Sequence, residues 1–145
     1  MRNLFSALTT AMVVSGSLMT PVYGQIPNSY PSKDMEADRR EVMYMSVCVD
    51  SIKRFRAKKF KDFDPTVTNN LLRDVMTLYT EILAQEYPNG KYSEEFIKKI
   101  MRDDQQGAQN KLDSNRGDCF EFVVGGDFSK RYVDLLNKYA KTAKP

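Results

Sequence analysis

The chain has 145 residues, a net charge of +3, two cysteines and no histidine. Such a balanced charge does not indicate a polyanionic partner, and the lack of histidine excludes Ser-His-Asp and Cys-His catalysis and the usual zinc sites. Neither a phosphate-binding glycine motif nor a Gly-x-Ser-x-Gly sequence occurs. The sequence therefore predicts a protein that is not an enzyme and that uses no cofactor and no metal.

The first 24 residues have the pattern of a cleavable signal peptide. Arg2 provides a positive start, an apolar stretch follows, and Val22 and Gly24 would occupy positions −3 and −1 for cleavage before Gln25. Because the stretch is short and contains several serines and threonines, it is poorly suited to span a bilayer. We therefore expect a periplasmic protein without a membrane anchor, whose mature chain has 121 residues, enough for one domain.

Residues 25–33 contain two prolines and show no periodicity, which predicts a flexible leader. A single helical domain is expected from residue 34 to residue 145. Ser32 or Asp34 can cap its first helix. The apolar residues of this helix recur at helical spacing: Val42, Met45, Val49 and Ile52.

The far end of this first helix is basic and contains interspersed phenylalanines. Its residues are Lys53, Arg54, Arg56, Lys58, Lys59 and Lys61, with Phe55, Phe60 and Phe63 between and after them. One interpretation is a patch for nucleic acid or another anionic surface. The other is a solvated helix end whose cations complement the helix dipole. Because the domain is not basic overall, the second is favoured; it predicts phenylalanines docked on the core and no nucleic-acid partner.

Three further helices are predicted. Asp64-Pro65 begins the second, whose broad apolar stripe makes it the expected centre of the bundle: Val67, Leu71, Val75, Leu78 and Ile82. Ser93 can cap the third, with Phe96, Ile97, Ile100 and Met101 facing inwards. The last follows Gly125-Gly126, with an inward face of Phe128, Tyr132, Leu135, Leu136 and Tyr139.

From residue 102 to residue 118 only Ala108 and Leu112 are apolar, which predicts a long polar loop. Cys119 to Val124 is a short apolar run that could be a strand or a helical turn. Taken together, the patterns predict an all-α fold: a small bundle of four to five helices with one disulfide and one long polar loop.

Cys48 and Cys119 are the only cysteines. Oxidising compartments favour pairing, so export predicts a disulfide between them rather than two buried free thiols. The bridge would fix the end of the polar loop.

The tethered loop is the candidate binding element, because long loops in compact domains are commonly functional. The alternative is a loop that serves only as a connection. The candidate partner-binding residues are Asp103, Asp104, Gln105, Gln106, Asn110, Lys111, Asp113, Asn115 and Arg116. As exposed polar positions, residues 103–106 are expected to tolerate replacement by glycine and serine with almost no change in stability.

Several short stretches carry a resemblance to a known family. They are Tyr44 to Val49, Leu78-Tyr79, Ala84 to Pro88, Cys119, Phe128-Ser129-Lys130, Leu135-Leu136 and Lys138-Tyr139. In these the chain resembles the periplasmic immunity proteins that neutralise type VI secretion amidase effectors. The resemblance implies a small helical inhibitor that plugs the groove of a peptidoglycan-cleaving amidase, and it allows for a homodimer. The alternatives are a small envelope chaperone or stress protein and an accessory protein of a secretion machine.

Overall fold

The computed structural model describes residues 33–143, and within them all side chains except those of 116, 117 and 141–143. Five helices make up this part of the chain: α1 (Lys33–Lys59), α2 (Thr66–Glu86), α3 (Glu94–Ser114), α4 (Arg116–Val124) and α5 (Asp127–Ala143). The predicted all-α bundle is confirmed. The expected signal peptide and the expected leader lie outside the described residues, apart from Lys33, with which α1 begins.

The centre of the bundle is α1. The prediction that α2 would be the central helix is wrong. It packs against each of the other four helices. Residues on several sides of its middle turns are buried, and they include polar and sulfur-containing side chains: Val42, Met43, Tyr44, Met45, Ser46, Cys48 and Val49. Because a helix buried on several sides does not show one apolar stripe, its pattern is weaker than that of an amphipathic helix such as α2.

Both capping signals in the sequence lie at helix starts, although the N-cap of α2 is Pro65 rather than the predicted Asp64, which precedes it. The Asp64 carboxylate accepts hydrogen bonds from the backbone N–H of Thr66 at 3.0 Å and from its hydroxyl at 2.7 Å. The Ser93 hydroxyl accepts from the backbone N–H of Phe96 at 3.1 Å. Each side chain satisfies a donor that the first helical turn leaves without an intrahelical partner.

The predicted long polar loop is wrong. Helix α3 continues to Ser114, and α4 begins two residues later at Arg116. The inward face of α3 is continued by Asp104, Ala108 and Leu112, which are spaced four residues apart and are all buried. Since a carboxylate occupies the first of these core positions, the apolar periodicity ends there in the sequence although the helix continues.

The predicted disulfide is confirmed, and residues 119–124 are helical. Cys48 of α1 is bonded to Cys119 of α4, with their Cα atoms 5.4 Å apart and a sequence separation of 71. Both side chains are buried. The bridge therefore joins two helices that are distant in sequence.

Polar side chains fix α5 on the first half of α1. The guanidinium of Arg131 donates to both carboxylate oxygens of Glu41, at 2.8 and 2.5 Å. Asp38 accepts from Lys138 and from the Tyr139 hydroxyl, each at 2.6 Å. A bidentate arginine–carboxylate interaction restricts orientation as well as distance, so these contacts define how α5 lies on α1.

The expectation that the phenylalanines at the basic end of α1 dock on the core is wrong for two of the three. Ile52 is the last buried residue of α1, and the helix runs about two further turns to Lys59. Phe55 and Phe60 are 53 % and 55 % exposed, and only Phe63 is partly covered.

Within residues 33–143 no helix is both long enough and apolar enough to cross a membrane.

Candidate partner-binding groove

An open groove of about 750 Å³ lies between α1, α3 and α4. Six of the eleven residues that line it are charged. It is lined by Ala37, Arg40, Glu41, Tyr44, Asp103, Asp104, Gly107, Ala108, Lys111, Asp118 and Phe122. Concave surfaces with convergent polar groups are the usual location of binding sites, so this groove is the main candidate.

Tyr44 contributes a polar atom that the protein itself does not use. Its side chain is 7 % exposed, and its hydroxyl has no hydrogen-bond partner among the described residues. The Lys111 ammonium lies 4.2 Å from the ring centroid. Burial and the negative charge of Asp118 raise the pKa of Tyr44, so the hydroxyl remains a donor at neutral pH. An unpaired buried hydroxyl is unfavourable, and a bound partner could supply the missing bond.

Gly107 keeps the groove open from the side of α3. It lies in the middle of this helix, and a Cβ atom added to it would meet nothing within 4 Å. Glycine inside a helix is less stable than alanine by roughly 0.5–1 kcal/mol, because the unfolded chain has more freedom to lose. Nothing in the packing of this domain requires the small residue, whereas a closely approaching partner would.

Gly107→Ala is therefore expected to raise the free energy of unfolding by roughly 0.5–1 kcal/mol. Chemical denaturation measures the change directly. Gly125→Ala is the matched control, because its Cβ would lie 2.6 Å from the carbonyl oxygen of Glu121, and it should be destabilising. If Gly107→Ala lowers stability, the space beside Gly107 is not open.

Beneath the groove lies a buried charged cluster formed by Arg39, Tyr79, Glu86 and Asp104. Each of the four is less than 5 % exposed. Arg39 donates to Asp104 at 2.6 Å and pairs with Glu86 on its other side. The Tyr79 hydroxyl donates to the same Asp104 oxygen at 2.7 Å. Three helices thus meet at one guanidinium, and Asp104 belongs both to this cluster and to the groove wall.

The electrostatics of the cluster depend on Glu86. Burial raises the pKa of Glu86 against the opposing effect of Arg39, and its second carboxylate oxygen has no hydrogen-bond partner. Although burial disfavours a charged guanidinium, the bonds to Asp104 and Glu86 raise the pKa of Arg39, so it stays charged. Arg39 then faces two buried carboxylates, of which Asp104 is also approached by the exposed Arg40 at 3.5 Å. The nearby negative charge of Asp104 adds to burial in making Glu86 easier to protonate.

The structure brings together three of the nine residues predicted to bind a partner. Asp103, Asp104 and Lys111 line the groove. The prediction that Asp104 is a freely exposed partner contact is corrected, because its carboxylate is engaged inside the domain. The expectation that residues 103–106 can be replaced without a change in stability is wrong for the same reason.

The other predicted residues do not form one surface with these three. Gln105, Gln106, Asn110 and Asp113 are exposed on the outer side of α3, where Gln106 donates to Asn110 at 2.9 Å and Gln109 donates to Asp113 at 3.0 Å. Asn115 ends α3 and donates to Asp118, and Arg116 begins α4. Since a helix distributes consecutive residues around its axis, a continuous segment cannot face one partner.

Sequence reasoning missed most of the groove, including Tyr44, Gly107 and Asp118. One signal was present: an isolated glycine in a helical segment usually has a packing or functional reason, and here it leaves open space on the surface of α3. Tyr44 gave no such signal, because a tyrosine beside an apolar stripe usually belongs to the core. Comparison of the chain with protein families, with characterised proteins and with solved structures gives no match.

Proposed function

We propose that this chain is a periplasmic immunity protein that binds and inhibits a peptidoglycan-cleaving amidase without catalysing a reaction itself. The observation that carries the proposal is the open groove with the unpaired hydroxyl of Tyr44. The resemblance to immunity proteins of type VI secretion amidase effectors supplies the class of partner. The predicted signal peptide supplies the compartment, where both the inhibitor and a cell-wall enzyme would meet.

The groove is well suited to a rigid inhibitor because its three walls are tied together. The disulfide joins α1 to α4, and the contact between Arg39 and Asp104 joins α1 to α3. A preformed surface loses little conformational entropy when it binds, and affinity rises accordingly. A rigid groove of this kind favours a partner that inserts a side chain from the rim of its own active-site cleft.

The charges in the groove favour a hydrogen-bond donor from the partner. Glu41 is held by Arg131, Asp103 by Lys99, and Asp104 by Arg39. Asp118 accepts a hydrogen bond from Asn115 but makes no ion pair with any described side chain. Together with Tyr44 it offers an incompletely neutralised polar site, which an arginine or lysine side chain of the amidase would satisfy.

Tyr44→Phe tests the proposal with little disturbance of the fold. The hydroxyl has no partner in the free protein, so its removal should leave thermal stability unchanged or slightly raise it. Binding to a cognate cell-wall amidase should weaken at least about tenfold, which corresponds to roughly 1.4 kcal/mol. Isothermal titration calorimetry measures the affinity, and hydrolysis of purified peptidoglycan measures the inhibition.

Tyr92→Phe is the matched control, since it removes a hydroxyl that lies outside the groove, and it should leave affinity unchanged. Gly107→Leu should block the groove and abolish inhibition while the protein stays folded. An amidase that is inhibited equally by all three variants would contradict the proposal.

A second candidate, a small envelope chaperone, is favoured by exposed apolar side chains on α4. Phe120 and Val124 are about half exposed. A chaperone would suppress aggregation of an unfolded client, measured by light scattering, and would lose that activity on Phe120→Ser and Val124→Ser while Tyr44→Phe had no effect. An immunity protein gives the reverse pattern.

A further inference from the structure

The end of α1 carries an excess of unpaired positive charge. Six cations lie within nine residues, five at the end of α1 and the sixth just after it: Lys53, Arg54, Arg56, Lys58, Lys59 and Lys61. Arg54 is paired with Asp50 at 2.8 Å. The other five make no ion pair with any described side chain, and the nearest carboxylates in sequence, Asp62 and Asp64, lie in the following connection. This end of the molecule therefore carries a local positive potential although the whole chain is close to neutral.

Exposed aromatic rings lie among these cations. Phe55 and Phe60 are each more than half exposed. Lys58 and Lys59 follow Phe55 by three and four residues, which places them on the same side of the helix, and the Lys59 ammonium lies 5.9 Å from the Phe55 ring centroid. Beyond them is a shallow depression, lined by Arg56, Lys59, Phe60, Lys61, Asp62 and Phe63.

We propose that this basic aromatic end of α1, residues 53–63, is a peripheral binding site for an anionic lipid bilayer. The two exposed rings would enter the boundary between headgroups and acyl chains, while the lysine stems extend along the apolar surface and leave their ammonium groups among the phosphates. The positive charge complements the negative surface potential of the bilayer, and each cation close to the surface strengthens binding about fivefold.

The phenyl rings decide between a bilayer and a soluble polyanion. A polyanion in water needs only the cations, so it leaves the two rings exposed or at most stacked on a base. A bilayer takes both rings out of water and uses the charges at the same time. The surface lies on the opposite side of Ile52 from the groove residues of α1, so the inference is independent of the proposed inhibitor function.

Co-sedimentation of the mature protein with lipid vesicles provides the test. Vesicles that contain phosphatidylglycerol should bind at least tenfold more strongly than vesicles of phosphatidylcholine alone. Raising the salt from about 50 mM to about 500 mM should remove most of this difference, because the screening length falls severalfold. Equal binding to both kinds of vesicle, or binding to neither, would overturn the proposal.

Two variants separate charge from ring insertion. Lys58→Gln, Lys59→Gln and Lys61→Gln combined should weaken binding to the anionic vesicles at least tenfold, as should Phe55→Ser combined with Phe60→Ser. The matched control removes three exposed lysines elsewhere, by Lys91→Gln, Lys98→Gln and Lys130→Gln, and should change binding less than twofold. All substituted side chains are exposed, so the midpoint of thermal unfolding should stay close to that of the wild type.

Three results would contradict the bilayer site. An equal loss in the control triple variant would mean that only net charge matters. Unchanged vesicle binding of the phenylalanine variant would exclude ring insertion. The third result is that the protein binds a short DNA duplex more tightly than the anionic vesicles, with the same affinity in the wild type and in the phenylalanine variant. That result would identify a nucleic-acid site.

Discussion

Arg39→Met is expected to lower the free energy of unfolding by about 3–5 kcal/mol, the range seen when one partner of a buried ion pair is removed. The substitution leaves the buried carboxylate of Glu86 without a counterion, and it leaves Asp104 with only the exposed Arg40, whose Nε lies 3.5 Å from it. Methionine fills much of the same volume, so the loss would arise from uncompensated charge rather than from a cavity. Urea denaturation at neutral pH, with the midpoint and the slope both fitted, measures it.

Arg54→Met is the matched control for this prediction. Its side chain is 80 % exposed and pairs with Asp50 on the surface, so the loss should stay below about 1 kcal/mol. Replacing the cluster as a whole, by Arg39→Met with Glu86→Leu and Asp104→Asn, should recover most of the stability, because no buried charge is then left unpaired. If Arg39→Met and Arg54→Met have equal effects, the cluster does not stabilise the fold in the way described.

Replacing both cysteines, by Cys48→Ala with Cys119→Ala, is expected to lower the free energy of unfolding by about 4 kcal/mol. The bridge closes a loop of 71 residues, and the loss of chain entropy in the unfolded state predicts a figure of this size. Since both side chains are buried, the loss of two sulfur atoms adds a smaller packing contribution in the same direction. Equilibrium denaturation of the oxidised wild type and of the variant gives the difference.

Reduction provides an internal comparison for the disulfide. The wild type in excess reductant should unfold near the midpoint of the double variant, whereas the double variant should not respond to reductant at all. A wild-type midpoint that does not move on complete reduction would show that the bridge contributes nothing to stability.

The parts of the fold that could be predicted are those that depend on residues close together in sequence, together with the one possible cysteine pair. The hydrogen bonds that Asp64 and Ser93 make at the helix starts join each side chain to a backbone N–H no more than three residues away. The disulfide prediction followed from the presence of two cysteines in a chain with a predicted export signal. Stripes of apolar residues located α2 and the start of α3, because a surface helix buries one face.

The parts that could not be predicted depend on partners distant in sequence. Asp104 occupies a core position because Arg39, 65 residues earlier, and Tyr79, 25 residues earlier, receive its charge. Read without those partners, the aspartate indicates a solvated loop. The groove was missed for a related reason, since Tyr44 and Gly107 face one space only when α1 and α3 are packed together.

The position of the disulfide also decides what a single backbone cleavage can do to this protein. The two longest connections between the described helices, residues 60–65 and 87–93, both lie between Cys48 and Cys119. A protease that cuts either of them leaves two fragments that remain covalently joined and that still share the α1–α4 contact. In a compartment where envelope proteases act on exposed segments, the nicked protein would keep its groove walls together until the bridge is reduced.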